Sequence, residues 1–248
     1  RSLPGAQAFH EAVPEAEWFM DYYNADGSVA EMCGNASRLF AAVLDAEGLR
    51  PMTDGDSITI GTRGGARTIT RVGDLWTVDM GSARLTHPDG ALADVEDEGW
   101  DTVVIVPGLE GERAALSISM PNPHTVVALG EESELDAAAF AGLTGSGAPV
   151  VYEPVPQAGT NLELVLPLGQ EVDAVTGDRV GRARLRVLER GVGETRSCGT
   201  GCCAAAVALH VWEGARGLPV AGARRRGRRP CGRRAFGRGI HRAADRAR

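Results

Sequence analysis

The sequence of 248 residues contains no lysine, because all 26 of its basic residues are arginines. A chain without lysine cannot form the internal Schiff base through which enzymes hold pyridoxal phosphate. It also cannot supply the lysine of a Walker-type phosphate loop. These two large enzyme classes are therefore excluded.

Long apolar runs are missing as well. No apolar run approaches the roughly 20 residues that a helix needs to cross a bilayer, and no charged-then-apolar signal segment opens the chain. The five cysteines, an odd number that includes an adjacent pair, do not form the pattern of a secreted disulfide framework. We therefore expect a globular cytoplasmic protein with reduced thiols and no membrane partner.

The arginines are distributed unevenly. Residues 1–213 hold 14 arginines against 32 acidic residues, whereas residues 214–248 hold 12 arginines against one acidic residue. This tail shows no strand alternation, has little to bury and lacks the aromatic pattern of a nucleic-acid reader. We expect it to be disordered or non-native, for instance through a shifted reading frame, and we expect no nucleic-acid partner.

Two Cys-Gly segments precede runs of small, helix-forming residues. Cys198-Gly199-Thr200-Gly201 leads into the apolar run 204–209, and Cys33-Gly34-Asn35 leads into 36–44. Each arrangement places a thiol at a helix N-terminus, where unpaired N–H groups and the helix dipole favour an anion. Such a setting lowers a thiol pKa from about 8.5 toward roughly 3.5–7.5. The sequence thus predicts two activated thiols.

The hydrophobic pattern predicts an α+β fold. A helix is predicted over 34–47, and strands over 17–23, 57–62, 66–72, 75–80, 102–106, 115–120, 125–129, 150–153, 160–166 and 183–189. The order of strand, polar turn, Cys-Gly and alanine-rich helix occurs twice. We therefore expect two similar halves, residues 1–117 with Cys33 and residues 118–213 with Cys198, followed by the atypical tail 214–248.

Two thiols that face each other suit one particular reaction. One cysteine could remove a proton from a carbon while the other delivers a proton to the opposite face, which inverts a stereocentre without a cofactor. The charge that develops on the substrate needs preorganised donors, each worth about 10²–10³ in rate. The backbone N–H groups at the two helix starts would supply them, namely those of Gly34, Asn35, Gly199 and Thr200.

Several spaced motifs carry a family resemblance. They are Asn24-Ala25-Asp26-Gly27-Ser28 with Cys33-Gly34-Asn35, Pro121-Asn122-Pro123-His124, Asn161-Leu162-Glu163, and 189–195 with Cys198-Gly199-Thr200-Gly201. From about Trp18 to Leu209 the chain resembles diaminopimelate epimerase. The resemblance implies two pseudo-symmetric α+β domains, each a curled, mostly antiparallel sheet wrapped around a central helix. It also implies a cofactor-independent two-base isomerase that interconverts LL- and meso-2,6-diaminopimelate, for lysine and peptidoglycan precursors.

The resemblance further implies roles for individual residues. Cys33 and Cys198 would be the acid–base pair. Asn24, Asn122, Asn161 and Arg190 would hold the remote amino acid end of the substrate, with Arg190 suited to a bidentate grip on its carboxylate. Glu189 would contact the remote ammonium, and Glu189 and His124 would tune the thiols. The family often pairs its subunits, so the resemblance also allows a homodimer.

The chain departs from the family pattern in three ways. Ala36-Ser37 stands where many relatives have glycine then alanine, and Cys202 stands where alanine is usual. The strand expected before Trp18 and the strands expected after the second helix are not recognisable. A truncated, non-catalytic remnant is therefore one alternative.

Two further alternatives are a related isomerase and a protein of a different class. A proline racemase-like isomerase of the same fold would not need Arg190 and the asparagines at the remote end. A thiol redox protein would use Cys33 and Cys198 in electron transfer. We assign Cys202 and Cys203 to helix packing, and we expect no metal site because no second Cys or His cluster completes four ligands.

Overall fold

The computed structural model describes residues 11, 13–87, 99–140, 148–172, 174, 177, 179–212 and 242–246. Its helices are α1 (Gly34–Ala46), α2 (Glu132–Ala137) and α3 (Gly199–Trp212). Its strands are β1 (Trp18–Phe19), β2 (Ser57–Thr62), β3 (Gly65–Val72), β4 (Leu75–Asp79), β5 (Arg84–Leu85), β6 (Thr102–Ile105), β7 (Arg113–Ser119), β8 (Pro123–Ala128), β9 (Val151–Glu153), β10 (Asn161–Val172), β11 (Arg179–Glu189), β12 (Gly193–Thr195) and β13 (Arg242–Arg246).

The strands form two mostly antiparallel sheets. The first has the order β1-β2-β3-β4-β13, with β1 and β2 parallel. The second has the order β12-β11-β10-β8-β7-β6-β9, with β8 and β10 parallel and β5 paired to β7. Val72 pairs with Leu75, so Gly73-Asp74 forms the predicted two-residue loop, and Gly73 has a φ of +58° that suits it.

Each sheet carries one of the cysteine-led helices. α1 packs on β3 and β4, whereas α3 packs on β7, β8 and β10. Buried side chains from both helices and both sheets meet in one core, which includes Leu44, Ile60, Val165 and Leu209. The opposite face of the second sheet has a smaller core, covered by Leu135 of α2. The α+β architecture with a helix on each sheet is thus confirmed.

Several elements differ from their predicted extent. The strand predicted over 17–23 is limited to Trp18–Phe19, whereas β10 and β11 continue as a long antiparallel ribbon to Val172 and Arg179. The sequence analysis did not predict α2, which is only six residues long. Glu131 and Glu134 cap the N-terminus of α2 reciprocally, and their spacing of three residues is the sequence pattern that could have indicated this helix.

The change from one sheet to the other falls between Asp79 and Arg84, because β5, β6 and β7 all belong to the second sheet. The predicted division at 117/118 lies later in the chain, within that sheet. The two domain ranges therefore stay a prediction. None of the described helices is long and apolar enough to cross a membrane.

Most of the predicted tail lies outside the described residues. Arg242–Arg246, however, forms β13 and pairs antiparallel with β4. This strand differs from the expectation that the tail lacks regular structure. Pairing along an open sheet edge uses backbone N–H and C=O groups, so it does not require side-chain alternation.

Candidate active site

A cleft lies where the starts of α1 and α3 meet. The empty space in and around the cleft amounts to about 420 Å³, which includes space open to solvent. It is lined by Tyr22, Asn24, Ala30, Met32, Cys33, Gly34, Asn35, Asn122, Asn161, Glu189, Arg190, Cys198, Gly199 and Thr200. The structure therefore brings together every predicted site residue except His124, which is buried behind the cleft.

The two helix starts approach each other closely. The Asn35 amide donates to the carbonyl oxygen of Ser197 at 3.4 Å, which links α1 to the residue before Cys198. Met80 is packed against both starts, since a Cβ added at Gly34 or at Gly199 would lie 3.1 Å from its Cε. Small residues at these positions let both helices begin against one methionine. Their first N–H groups consequently lie beside the same cleft.

Cys33 occupies the N-cap position of α1 in an extended conformation. Its carbonyl oxygen accepts the first helical hydrogen bond from the Ser37 N–H at 2.9 Å, and its thiol is half-buried. Burial, followed by the proximity of Cys33, raises the pKa of the Tyr22 hydroxyl, and Glu189 and Cys198 add to the effect. Tyr22, which the sequence analysis did not select, thus lies near both thiols.

Cys198 is more deeply buried, with 7% of its surface exposed. The Gly201 N–H donates to its sulfur at 3.4 Å, and the Thr200 hydroxyl lies 3.3 Å from it. These contacts favour the thiolate, but burial and the carboxylates of Glu189 and Glu163 outweigh them and raise the thiol pKa well above its ordinary value. The expectation of a lowered pKa is therefore wrong for Cys198, because it ignored desolvation and the two acids.

Glu189 ends β11 beside Cys198. Burial raises the pKa of its carboxyl group, while hydrogen bonds with Thr195 and with the Cys198 thiol lower it. The Thr195 hydroxyl donates directly to Oε1 of Glu189. The structure thus places a carboxyl group with a raised pKa against a buried thiol, an arrangement suited to proton transfer.

His124 lies below the cleft and is paired with Glu163. His124 Nδ1 is 2.7 Å from Glu163 Oε1, and both side chains are fully buried. His124 pairs with Asn161 in the register of β8 and β10, so His124, Asn161 and Glu163 share one sheet face. This face packs on α3 through Val126 and Val165, and it becomes polar at the end nearest Cys198.

Two predicted asparagines organise the backbone around the cleft. Asn122 accepts hydrogen bonds from the N–H groups of Glu31 and Met32 at 3.2 and 3.3 Å and donates to the Met32 carbonyl at 2.7 Å. It therefore fixes the loop that leads into Cys33. Asn161 donates to the Pro123 carbonyl at 3.1 Å and accepts from the Arg190 N–H at 2.8 Å.

The guanidinium group of Arg190 lies at the other end of the cleft. It donates to the Ala158 carbonyl at 2.6 Å and forms an ion pair of 3.2 Å with Glu31. The Asn24 amide donates to the Ser28 hydroxyl at 3.0 Å. These side chains already have partners on the protein, which hold them at the cleft edge in defined orientations.

Sequence reasoning assigned no site role to several residues in and behind the cleft. The missed lining residues are Tyr22, Ala30 and Met32, while Met80 and Glu163 lie directly behind the lining. Strand alternation could have revealed Glu163, since it follows Asn161 by two positions on the same face. Among the described residues, no group of three or more His, Cys, Asp or Glu side chains is arranged to hold a metal ion.

Comparison with known proteins confirms the resemblance. The family model for diaminopimelate epimerase matches residues 6–86. Diaminopimelate epimerases from Streptomyces coelicolor and Corynebacterium glutamicum are 44% and 41% identical over 78% and 84% of this chain. The enzyme from Mycolicibacterium gilvum is 38% identical over 83%. The chain spans 56%, 65% and 62% of the lengths of these three relatives, respectively.

Solved structures confirm the fold. A hydroxyproline epimerase from Agrobacterium vitis superimposes with a TM-score of 0.51 over 92% of this chain and 71% of its own. A probable proline racemase from Agrobacterium radiobacter gives 0.50 over 84% of this chain and 60% of its own. Both are 17% identical to this chain. At that identity the likeness concerns the fold alone.

Proposed function

We propose that this homologue of the diaminopimelate epimerases interconverts LL-2,6-diaminopimelate and meso-diaminopimelate by cofactor-independent, two-base proton transfer. The observation that carries the proposal is that Cys33 and Cys198 line one cleft from the starts of two different helices. The identities of 38–44% to diaminopimelate epimerases support this substrate.

In one direction, the Cys33 thiolate removes the α-proton of the substrate and becomes a thiol. The electron pair of the broken C–H bond passes into the adjacent carboxylate and forms an enediolate. Cys198 then delivers its own proton to the opposite face of the carbon and becomes a thiolate. The reverse direction exchanges these roles. The raised pKa of Cys198 supports its role as the acid, because the buried thiol is protonated at neutral pH.

The enediolate would be bound by the helix starts. Its two oxygens carry the negative charge of the intermediate, and the first N–H groups of α1 and α3 provide donors and positive helix-dipole ends for them. These are the groups of Gly34, Asn35, Gly199 and Thr200. Because Met80 and the Asn35–Ser197 hydrogen bond fix the two starts, the donors need little reorganisation during the reaction.

The remote end of the substrate would bind at the polar end of the cleft. Arg190 would grip its carboxylate together with Asn24, Asn122 and Asn161, and Glu189 would contact its ammonium. Diaminopimelate has a second carboxylate and a second ammonium at its remote end, and these groups need several polar partners. Proline has no second amino acid end. The remote-end residues and the sequence relatives therefore favour diaminopimelate over a proline-type substrate.

The same proposal covers the tuning residues and the setting of the enzyme. His124 and Glu189 would adjust the proton affinity of the thiols from behind and beside Cys198. The proposal also includes a cytoplasmic location and allows a homodimer, as for other enzymes of amino acid biosynthesis. Gel filtration with light scattering would test the dimer, which a monomeric mass would rule out.

The experiment compares substrates in deuterium oxide. LL-diaminopimelate should convert to a meso isomer that carries deuterium at an α-carbon, while L-proline should stay unlabelled. Labelled proline with unlabelled diaminopimelate would refute the substrate assignment. Failure to label either amino acid would favour the non-catalytic remnant.

Cysteine variants test the mechanism in the same assay. Cys33→Ser and Cys198→Ser should each abolish isomerisation, and one-sided exchange is the activity that can remain. Cys202→Ala is the matched control and should isomerise at the wild-type rate. A redox protein would instead lose reversible electron transfer in the first two variants.

A further inference from the structure

Glu163 and His124 form an enclosed pair that the reaction described above does not use directly. Each side chain has 0% of its surface exposed, and Nδ1 lies 2.7 Å from Oε1. Among the described residues, His124 Nε2 and Glu163 Oε2 have no hydrogen-bond partner. Burial of a carboxylate in this way costs free energy unless an opposite charge compensates it or the charge has a functional role. The pair therefore calls for an explanation beyond packing.

The Glu163 carboxylate lies against the turn that carries Cys198. A Cβ added at Gly201 would be 2.5 Å from Glu163 Oε1 and 3.2 Å from the Cys198 Cβ. Glycine at this position is thus what allows the carboxylate to approach the first turn of α3. The negative charge of Glu163 consequently acts on Cys198 from behind, on the side away from the cleft.

We propose that Glu163 is a positioning residue of the reaction, which fixes the ring of His124 and holds the proton on Cys198. The inference rests on the proposed function. In this proposal the Glu163 carboxylate is ionised and accepts the hydrogen bond, and Nδ1 of His124 carries the proton that joins the pair. Nε2 is then the ring nitrogen that can exchange a proton with its surroundings, as in other histidines that are oriented by a carboxylate.

The second effect of Glu163 is electrostatic. The ionisable groups that act on the Cys198 thiol are Glu163 on β10, Glu189 at the end of β11 and Tyr22 before α1. His124 on β8 acts on Glu189, and Cys33 lines the same cleft. Glu163 and Glu189 both raise the thiol pKa. Removal of the Glu163 charge should therefore ease ionisation of Cys198.

The test is the substitution Glu163→Gln, which keeps the shape and a hydrogen-bond acceptor for Nδ1 but removes the charge. Alkylation of Cys198 by iodoacetamide, located by mass spectrometry, should reach its midpoint at a pH lower by roughly one to two units. The alkaline limb of the activity profile should move in the same direction. The kcat should fall about 10- to 100-fold while KM changes little.

Glu171→Gln is the matched control, because Glu171 lies on the same strand but is exposed and paired with Arg182. It should leave both profiles unchanged. An unchanged alkylation midpoint in Glu163→Gln would overturn the inference. The alkylation assay needs no diaminopimelate, so it separates the two proposals. If Glu163→Gln shifts the alkylation midpoint but the wild-type protein has no isomerase activity, the inference about Cys198 stands and the proposed function is refuted.

A measurement on the wild-type chain covers the case in which Glu163→Gln does not fold. Nitrogen NMR of labelled histidine should find the His124 proton on Nδ1 at neutral pH. A ring that carries its only proton on Nε2 would overturn the inference, because the carboxylate could then not hold the ring through Nδ1.

Discussion

Replacement of Gly201 by alanine tests the close approach of Glu163 to α3. The added Cβ would lie 2.5 Å from Glu163 Oε1, a separation that such atoms essentially never adopt. In an ordinary helix interior, alanine is favoured over glycine by about 0.8–1.0 kcal/mol. Overpacking of a filled site costs about 1–3 kcal/mol. The variant should therefore be destabilised by up to about 2 kcal/mol.

The control for this substitution is Gly181→Ala. No described atom lies within 4 Å of the Cβ position at Gly181, which also lacks a positive φ. Its stability should stay within about 0.5 kcal/mol of wild type. Urea unfolding measures both variants, and deuterium exchange of diaminopimelate measures their activity.

Activity should report the displacement of Glu163 independently of stability. Gly201→Ala should lose exchange activity even at temperatures where it is folded, since the Cys198 turn and the Glu163 carboxylate compete for the same space. A Gly201→Ala protein that is at least as stable as wild type and exchanges at the wild-type rate would refute the packing described for this turn.

Three further predictions concern single side chains. Burial raises the pKa of the Cys203 thiol from 9.0 to about 12. Between pH 9 and 12 the folded state therefore keeps a proton that the unfolded state has lost. The free energy of unfolding should fall by about 1.4 kcal/mol per pH unit in this range. Cys203→Ala should reduce the slope of the free energy of unfolding against pH, and an unchanged slope would contradict the raised pKa of Cys203. Asn122→Ala removes three hydrogen bonds to Glu31 and Met32 and should cost about 2–4 kcal/mol in urea unfolding, with a lower kcat; wild-type stability would argue against this role. Arg190→Lys loses a bidentate donor, so it should raise KM for diaminopimelate more than it lowers kcat, whereas an unchanged KM would remove Arg190 from the remote-end site.

The fold was predictable to the extent that it depends on local pattern. The 3.6-residue spacing located α1 within one residue, and the loop at Gly73-Asp74 was identified from its length and glycine. The partition of strands between sheets was not predictable, because β5, β6 and β7 join the second sheet through non-local pairing. The length of β10 and β11 beyond the core likewise depends on their pairing with each other.

Most of the cleft residues were predictable because they lie in short motifs at a helix start or a strand end, whereas Tyr22, Ala30 and Met32 lie outside those motifs. Glu163 was quoted within such a motif, but its pairing with His124 depends on the register of β8 and β10. The direction of the Cys198 pKa shift was predicted wrongly, since the sequence favoured a lowered pKa and the structure raises it. Helix position favours the thiolate, whereas burial and two neighbouring carboxylates, which only the folded chain reveals, favour the thiol.

The most direct test of the two-thiol account follows the first conversions of LL-diaminopimelate in deuterium oxide. Two separate bases predict that the newly formed meso isomer carries one deuterium at the inverted carbon, while the remaining LL substrate keeps its hydrogen. This pattern arises because the removed proton stays on one cysteine and the delivered one comes from the other. A product that retains the hydrogen of its own substrate molecule would contradict the account.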